Sequence, residues 1–395
     1  ASPWGPWLYY TRTTAGDEYP RHYRCARPAD GSSQVDEHSE QLLLDPNVLA
    51  GGGFLSMGAF NVSPDHQRLS YSLDPSGDEV YRLFVKELAT GAVAELPFDD
   101  CDGSMTWAND SQTLFFGELD ETHRPYRLHR HTLGSEGAEQ VFEELDGRFF
   151  LHCYRASSER QLILLLNSKT TSEAWVLDAE QPNSDFACLA PRVEHHEYYP
   201  DHGQLDGAWT WFIRSNQEGI NFALYQAADH GVAPTSEQWQ TLIAHREEVM
   251  LEGVTLNAAA FTLSLRARGL PIIEVHAQGQ APYPVQLPDA AYSLYVSDSL
   301  EFASEQIRLR YEALNRPGQV RQLSLRDGAQ GVLKQTPVLG AFDADDYVSQ
   351  RLWATAADGT QVPISLVVKK AFARQPTPLY LYGYGAYGSS LDPWF

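Results

Sequence analysis

The chain has 395 residues, a formal net charge of -23, 43% hydrophobic residues and 12% aromatic residues. This acidic balance argues against a nucleic-acid partner, because phosphate binding requires clustered Lys and Arg. No run of about 18 apolar residues is present, so no membrane-spanning segment is expected. The four cysteines are widely spaced and form no Cys-x-x-Cys motif, which predicts buried thiols in a reducing, cytoplasmic compartment.

Short β-type runs separated by turn residues recur along most of the chain. The stretch VSPDHQRLSYSLDPSGDEVYRLFVKELATG is typical, with an alternating strand, a Pro-Ser-Gly-Asp turn, a longer amphipathic strand and a Thr-Gly turn. When one strand of each repeat is taken as equivalent, the repeats follow one another at steps of 45 to 62 residues. The equivalent positions are Trp7, Leu69, Leu114, Leu162, Trp209, Phe261 and Ile307.

Seven strand meanders at this spacing predict an all-β fold, a seven-bladed β-propeller that occupies residues 1–342. A single meander cannot bury both faces, whereas stacking meanders around an axis produces one continuous core. A β-sandwich, or two smaller β domains, is the alternative, and the even spacing argues against both. The Gly-His and Trp-Asp signature of WD40 repeats is absent from the sequence.

The pattern changes at residues 343–395. Two alternating runs, 351–356 and 362–369, flank Asp358-Gly359 and predict a hairpin. The apolar run PLYLY follows, and such a continuous run suits a strand that is covered on both faces. It leads directly into the glycine-aromatic loop GYGAYG.

Several segments carry a resemblance to a known family. They are LYYTRTTAGDEYPRHYRC, VSPDHQRLSYSLD, TTSEAWVLDAE, HHEYYPDH, RSNQEGINFALY, VMLEGVTL, VLKQTPV and WATAADGTQVPISLVVKK followed by YGYGAYG. In this order, and over almost the whole chain, they resemble the prolyl oligopeptidase family of serine peptidases, and within it the oligopeptidase B branch.

The resemblance implies a seven-bladed propeller that packs on an α/β-hydrolase peptidase domain, of which residues 343–395 would be the first strands. It implies hydrolysis of short basic peptides after Lys or Arg, with the propeller gating access and with neither a metal nor an organic cofactor. In the family the second tyrosine of Tyr-Gly-Tyr-Gly donates to the oxyanion, and this tyrosine corresponds to Tyr384. Gly383 and Gly385 would support the loop by letting the backbone turn and approach the substrate. On the residues alone, a packed aromatic in a glycine-rich turn is the alternative reading of Tyr384.

A serine nucleophile is missing from the sequence. Serine hydrolases of this fold carry Gly-x-Ser-x-Gly followed by an acid and a histidine, and no Gly-x-Ser-x-Gly is present. In the family all three residues follow the tyrosine loop, so we expect them beyond residue 395 and expect the 395-residue chain to be inactive alone. A prolyl-specific member of the family and a free-standing propeller scaffold remain as alternatives.

Overall fold

The computed structural model describes residues 1–297 and 301–395. These residues form mainly antiparallel strands, because runs rich in β-branched and aromatic residues are separated by tight turns. The strand Leu270–Ala277 is representative, since half-buried and buried residues alternate along its whole length. A short helix, α1 (Pro46–Ala50), begins at the N-cap Asp45 and ends at Gly51 in the left-handed region.

The strands follow one another as four-stranded antiparallel meanders. The first three meanders contain β1 (Ser2–Trp4), β2 (Trp7–Arg12), β3 (Arg21–Ala26), β4 (Gln41–Leu44), β5 (Ser56–Val62), β6 (Arg68–Asp74), β7 (Tyr81–Glu87), β8 (Val93–Cys101), β9 (Thr106–Trp107), β10 (Thr113–Leu119), β11 (Pro125–Thr132) and β12 (Glu139–Glu143).

Four further meanders and a hairpin complete the described strands. The meanders contain β13 (Phe150–Arg155), β14 (Gln161–Asn167), β15 (Ser172–Asp178), β16 (Ala187–Ala190), β17 (Tyr198–Leu205), β18 (Ala208–Ser215), β19 (Ala223–Ala228), β20 (Gln240–Ile243), β21 (Val249–Asn257), β22 (Ala260–Ala267), β23 (Leu270–Ala277), β24 (Tyr283–Pro284), β25 (Ser293–Ser297), β26 (Gln306–Ala313), β27 (Arg316–Ser324) and β28 (Gln330–Gln335), and the hairpin contains β29 (Tyr347–Thr355) and β30 (Gln361–Lys369). Short 3-10 turns lie at Glu37–Ser39, Ser236–Gln238, Ala344–Asp346, Lys370–Phe372 and Ala386–Gly388.

The seven residues taken as equivalent in the repeat all lie in the second strand of a meander. These strands are β2, β6, β10, β14, β18, β22 and β26. Leu69, Leu114 and Leu162 are completely buried. The repeat pattern therefore detected the apolar centre of each meander, and the all-β propeller fold is confirmed.

The sheets are not seven separate blades, and the sequence prediction was wrong on this point. In residues 1–297 and 301–395, five sheets have four strands each, whereas the second and third meanders share one eight-stranded sheet. The two meanders join because Cys101 at the end of β8 pairs with Glu118 of β10. The adjacent amide of Asp102 also donates to the Gly117 carbonyl at 3.1 Å, which extends the contact between the two edges.

Hydrophobic clusters hold consecutive meanders together. Each of six clusters combines buried residues of two successive meanders, from the first and second to the sixth and seventh. Within the described residues, no such cluster joins the seventh meander to the first. Polar contacts join these two parts of the chain instead. Arg27 Nη1 lies 2.7 Å from Glu301 Oε1, and Arg308 Nη2 donates to Ser33 Oγ at 2.9 Å.

The expected first strands of an α/β-hydrolase domain are only partly present in residues 343–395. The hairpin around Asp358-Gly359 is confirmed as β29 and β30. The predicted strand at 378–382 is not formed, and Leu379 and Tyr380 are 71% and 87% exposed. A strand needs a neighbour for its backbone groups, and the described residues place none beside 378–382. No α/β-hydrolase domain is therefore formed by the described part of the chain.

Candidate active-site segment

The segment formed by residues 347–395 is anchored to the sixth meander. Arg351 Nη2 donates to the carbonyl oxygen of Arg268 at 3.0 Å, in the turn between β22 and β23. The Arg268 guanidinium lies 5.1 Å from the ring centroid of Trp353 on β29. A side chain at Gly269 would collide with Arg351 and Pro363, so this turn fits closely against the hairpin.

A second anchor holds the residues after the tyrosine loop. Arg266 Nη1 lies 2.6 Å from Asp392 Oδ1, and Arg266 Nε lies 2.5 Å from Glu252 Oε1. Burial alone would lower the pKa of the Arg266 guanidinium, but the hydrogen bonds to the two carboxylates outweigh this effect and raise it. This shared guanidinium fixes the position of Asp392 relative to the propeller.

Tyr384, the predicted oxyanion donor, lies on the exposed loop between these two anchors. Its side chain is 53% exposed, and none of the described residues forms a hydrogen bond with its hydroxyl group. An unpaired phenol O–H can donate one hydrogen bond to a ligand. The geometry is thus compatible with the predicted role, although the described residues bring no nucleophile to it.

The two predicted loop glycines have open surroundings. A Cβ atom placed on Gly383 or Gly385 would meet no other atom within 4 Å. Neither glycine adopts the left-handed conformation, which instead occurs at Tyr387 (φ 57°) and Gly388 (φ 72°). The sharp part of the loop therefore lies three to four residues after Tyr384.

The face of the propeller that carries this segment is acidic. Because all meanders have the same orientation, the turns between second and third strands and the links between meanders lie on this face. Exposed carboxylates on it that form no ion pair within the described residues are Asp78, Glu79, Glu121, Glu218, Glu247 and Glu248. Two exposed cations also lie here: Arg148, which is paired with Asp146 at 2.6 Å, and Lys169, which forms no ion pair within the described residues. Such a surface attracts cationic ligands.

A cavity of about 950 Å³ lies among the first strands of the meanders. It extends from Ser104 on the acidic face to Phe302 on the opposite face, and Trp4 and Tyr154 contribute to an aromatic wall. Three charged residues line it, namely Asp102, Arg155 and Glu159. Burial raises the pKa of Glu159 and lowers the pKa of Arg155. The cavity therefore offers a polar, aromatic surface beside the first strands of the first four meanders.

Comparison with known proteins identifies the family. The family model described as the N-terminal β-propeller domain of prolyl oligopeptidase matches residues 3–336. This chain belongs to the prolyl oligopeptidase family. The family that the sequence motifs indicated is thereby confirmed.

Dipeptidyl aminopeptidase BI of Pseudoxanthomonas mexicana is 33% identical over 408 residues, which cover 98% of this chain and 55% of that protein. Oligopeptidase B from Leishmania major has a TM-score of 0.89 and 28% identity. The closed form of oligopeptidase B from Trypanosoma brucei, with covalently bound antipain, has a TM-score of 0.88 and 26% identity. Both structures cover 100% of this chain, which spans 56% of each of them. The chain thus spans just over half the length of these relatives.

A row of three side chains, a hydroxyl, an imidazole and a carboxylate, lies inside this propeller and was not predicted from the sequence. Ser158 Oγ lies 2.7 Å from His202 Nδ1, and His202 Nε2 lies 3.2 Å from Asp229 Oδ2. The order of groups resembles a hydrolase triad, but His202 has no exposed surface and Ser158 is 7% exposed. No substrate carbonyl can reach the serine, so the row has a structural role between the fourth and fifth meanders.

The buried imidazole makes stability depend on pH. Burial lowers the pKa of His202 to about 4, and the nearby Asp229 offsets only part of this effect. In the unfolded chain the imidazole binds a proton below about pH 6.5, whereas in the folded chain it stays neutral down to about pH 4. The free energy of unfolding therefore decreases as the pH falls from about 6.5 to 4. Between pH 7.5 and 5 we expect this group to lower the free energy of unfolding by about 2 kcal/mol.

Urea unfolding of the wild type and of His202→Gln at both pH values measures this loss. Between pH 7.5 and 5, the free energy of unfolding of the wild type should decrease by about 2 kcal/mol more than that of the variant. This comparison does not depend on how stable the variant is at pH 7.5. Equal losses in the two proteins would show that the imidazole does not remain neutral in the fold.

A buried charge network also lies on the acidic face. Arg192 bridges Glu144 and Glu173, and its guanidinium lies 4.0 Å from the ring centroid of Phe149. Both carboxylates are less than 10% exposed. Burial would raise the pKa of Glu173, but hydrogen bonds from Arg192 and Trp175 outweigh burial and lower it. One guanidinium therefore compensates two buried carboxylates.

The remaining titratable clusters do not form a metal site. Within residues 1–297 and 301–395, no group of three or more His, Cys, Asp and Glu residues could hold a metal ion. None of the helices in the same residues is long and apolar enough to cross a membrane.

Proposed function

We propose that this chain is the propeller, together with the leading segment of the peptidase domain, of a serine peptidase that hydrolyses short peptides after Lys or Arg. The observation that carries the proposal is the family match over residues 3–336. The similarity to two oligopeptidase B structures, at 26% and 28% identity, favours basic specificity. The acidic face supports it as well, since its exposed carboxylates attract cationic peptides.

The proposed domain boundary lies at residue 343. The propeller would comprise residues 1–342, and residues 343–395 would begin the peptidase domain. This boundary is supported by the end of β28 at Gln335 and by the 3-10 turn Ala344–Asp346 that precedes the hairpin.

Tyr384 is the proposed oxyanion donor, with Gly383 and Gly385 supporting its loop. Its hydroxyl group would donate to the oxygen that becomes negatively charged when a serine attacks the peptide carbonyl. The serine, acid and histidine would come from residues beyond 395, in the peptidase domain that packs on the propeller. The cavity of about 950 Å³ would restrict access to short, unstructured peptides. The four free cysteines are consistent with a cytoplasmic location.

A second candidate is the removal of dipeptides from peptide amino termini. The 33% identity to a dipeptidyl aminopeptidase favours it. An enzyme of this kind recognises the free amino group of its substrate, whereas an endopeptidase does not.

The full-length protein distinguishes these activities with one pair of substrates. We expect it to cleave a tripeptide amide that carries Arg as its second residue, at P1, whether or not the amino terminus is acetylated. A serine-directed covalent inhibitor should abolish both reactions. A rate that falls more than about 100-fold on acetylation would instead assign the dipeptidyl activity, since about 3 kcal/mol would then depend on the amino group. Cleavage that persists after inhibition would contradict a serine mechanism.

A further inference from the structure

The face of the seventh meander that is turned away from the sixth carries positive charge. In β26, Ile307, Leu309 and Tyr311 belong to the hydrophobic cluster shared with the sixth meander. Successive side chains of a strand point to opposite faces, so Arg308 and Arg310 point away from this cluster. Their face lies next to the first meander, since Arg308 Nη1 and Nη2 donate to Ser2 Oγ and Ser33 Oγ at 3.3 and 2.9 Å.

Strand register brings a third cation to this face. Arg310 of β26 pairs with Val320 of β27, and Val320 pairs with Lys334 of β28. Residues in register share a face, and neighbouring strands are about 4.8 Å apart. Arg310 and Lys334 are thus separated by one short apolar side chain, over which both long side chains extend.

A cavity of about 380 Å³ lies above this row of residues. Arg310 and Lys334 line it together with the hydroxyl groups of Ser293, Tyr295 and Thr336. Gly318 adds no side chain to the floor, where a Cβ atom would lie in ordinary contact with Thr336 Oγ1 at 3.5 Å and Glu312 Oε2 at 3.7 Å.

The cations on this face have no carboxylate partner. Within the part of the chain that the structure describes, neither Arg308, Arg310 nor Lys334 forms an ion pair; Arg310 Nε donates only to Ser297 Oγ at 3.2 Å. The cavity contains one carboxylate, Glu312, whose Oε2 accepts the backbone N–H of Phe395 at 3.2 Å. Burial and the neighbouring Arg310 lower the pKa of Arg308. Repulsion among like charges favours an anion here, and the contrast is marked in a chain of net charge -23.

We propose that this cavity binds a small phosphate-type oxyanion, either inorganic phosphate or a phosphate monoester. Arg310 and Lys334 are its charged ligands, and the hydroxyl groups of the cavity donate to its remaining oxygens. A dianion suits two cations better than a monovalent carboxylate does, and the volume accommodates a small ester group.

The test uses the full-length protein and isothermal titration at constant ionic strength. The probes are inorganic phosphate, glycerol phosphate and acetate. The proteins are the wild type, Arg310→Gln, Lys334→Gln and the control Lys169→Gln. The control removes an exposed lysine of the fourth meander that forms no ion pair with any residue the structure describes. Both cavity side chains that are changed are exposed, so these variants are expected to fold.

We expect saturable binding of phosphate to the wild type and to the Lys169 variant, and binding at least roughly tenfold weaker in the two cavity variants, as for loss of a charged hydrogen bond. Tighter binding of glycerol phosphate would identify an ester as the ligand, and tighter binding of inorganic phosphate would identify the free ion. The proposal is overturned if the wild type shows no saturable binding, if all four proteins bind phosphate equally, or if acetate binds as tightly as phosphate.

Discussion

Replacing Tyr384 by Phe in the full-length protein should lower kcat by about 10²–10³-fold and leave KM nearly unchanged. The substitution removes one hydroxyl donor whose proposed partner is the oxyanion of the transition state, and losing such a donor typically has an effect of this size. Because the oxyanion exists only after attack on the carbonyl, substrate binding should be affected little. Steady-state kinetics with a short peptide amide that carries Arg at P1 measures both constants.

The structure provides a control on the same loop. Tyr387 is fully exposed, so Tyr387→Phe removes a hydroxyl group three residues further along without a proposed role, and its kcat should stay within about threefold of the wild type. The Tyr384 hydroxyl forms no hydrogen bond within the described residues, so its removal should not weaken the fold. A kcat of Tyr384→Phe within threefold of the wild type would remove this residue from the mechanism.

The largest effect on stability is expected from Arg192→Met. Methionine keeps much of the side-chain volume but leaves the carboxylates of Glu144 and Glu173 buried without their cation. Removing one partner of a buried ion pair typically costs about 3–5 kcal/mol, because a buried charge is left uncompensated. Urea unfolding followed by tryptophan fluorescence at pH 7.5 measures the difference from the wild type.

Arg148→Met is the matched control for this substitution. Arg148 also pairs with a carboxylate, Asp146, but its side chain is 72% exposed. Exposed pairs contribute about 1 kcal/mol or less, because water screens them. If Arg192→Met destabilised the protein no more than this control does, the two buried carboxylates would have to be compensated by other groups.

Local signals in the sequence predicted the strands of the meanders and of the hairpin, although they also predicted a strand at 378–382 that is not formed. A turn type depends on a few adjacent residues, and Asp358-Gly359 correctly predicted the hairpin of β29 and β30. The repeat was detectable for a similar reason, since each meander needs its own apolar second strand. The spacing of these repeats predicted a propeller, and the family resemblance implied the same fold, which is confirmed.

Contacts between distant parts of the chain were not predictable in this way. Arg192 reaches Glu144 across 48 residues of sequence, and His202 meets Ser158 across 44. No spacing rule connects such positions, because the arrangement of the meanders around the ring brings them together. The pairing of Cys101 with Glu118, which merges two meanders into one sheet, depends on the same arrangement.

The run at 378–382 illustrates a further limit. Its apolar residues favour a strand, but strand formation depends on a partner that satisfies the backbone groups. The described residues offer no such partner beside Leu379–Tyr382, where the side chains are largely exposed. Local preference therefore identified a segment suited to a sheet without determining whether the sheet forms.

We propose that this propeller belongs to a serine peptidase with basic specificity. The most direct test of this specificity is the ratio of kcat/KM for two short peptide amides that differ only at P1, one with Arg and one with Pro, hydrolysed by the full-length protein. We predict a preference for Arg of at least about 100-fold, equivalent to about 3 kcal/mol. A preference for Pro would contradict the basic specificity and would leave the acidic face without a role in substrate binding.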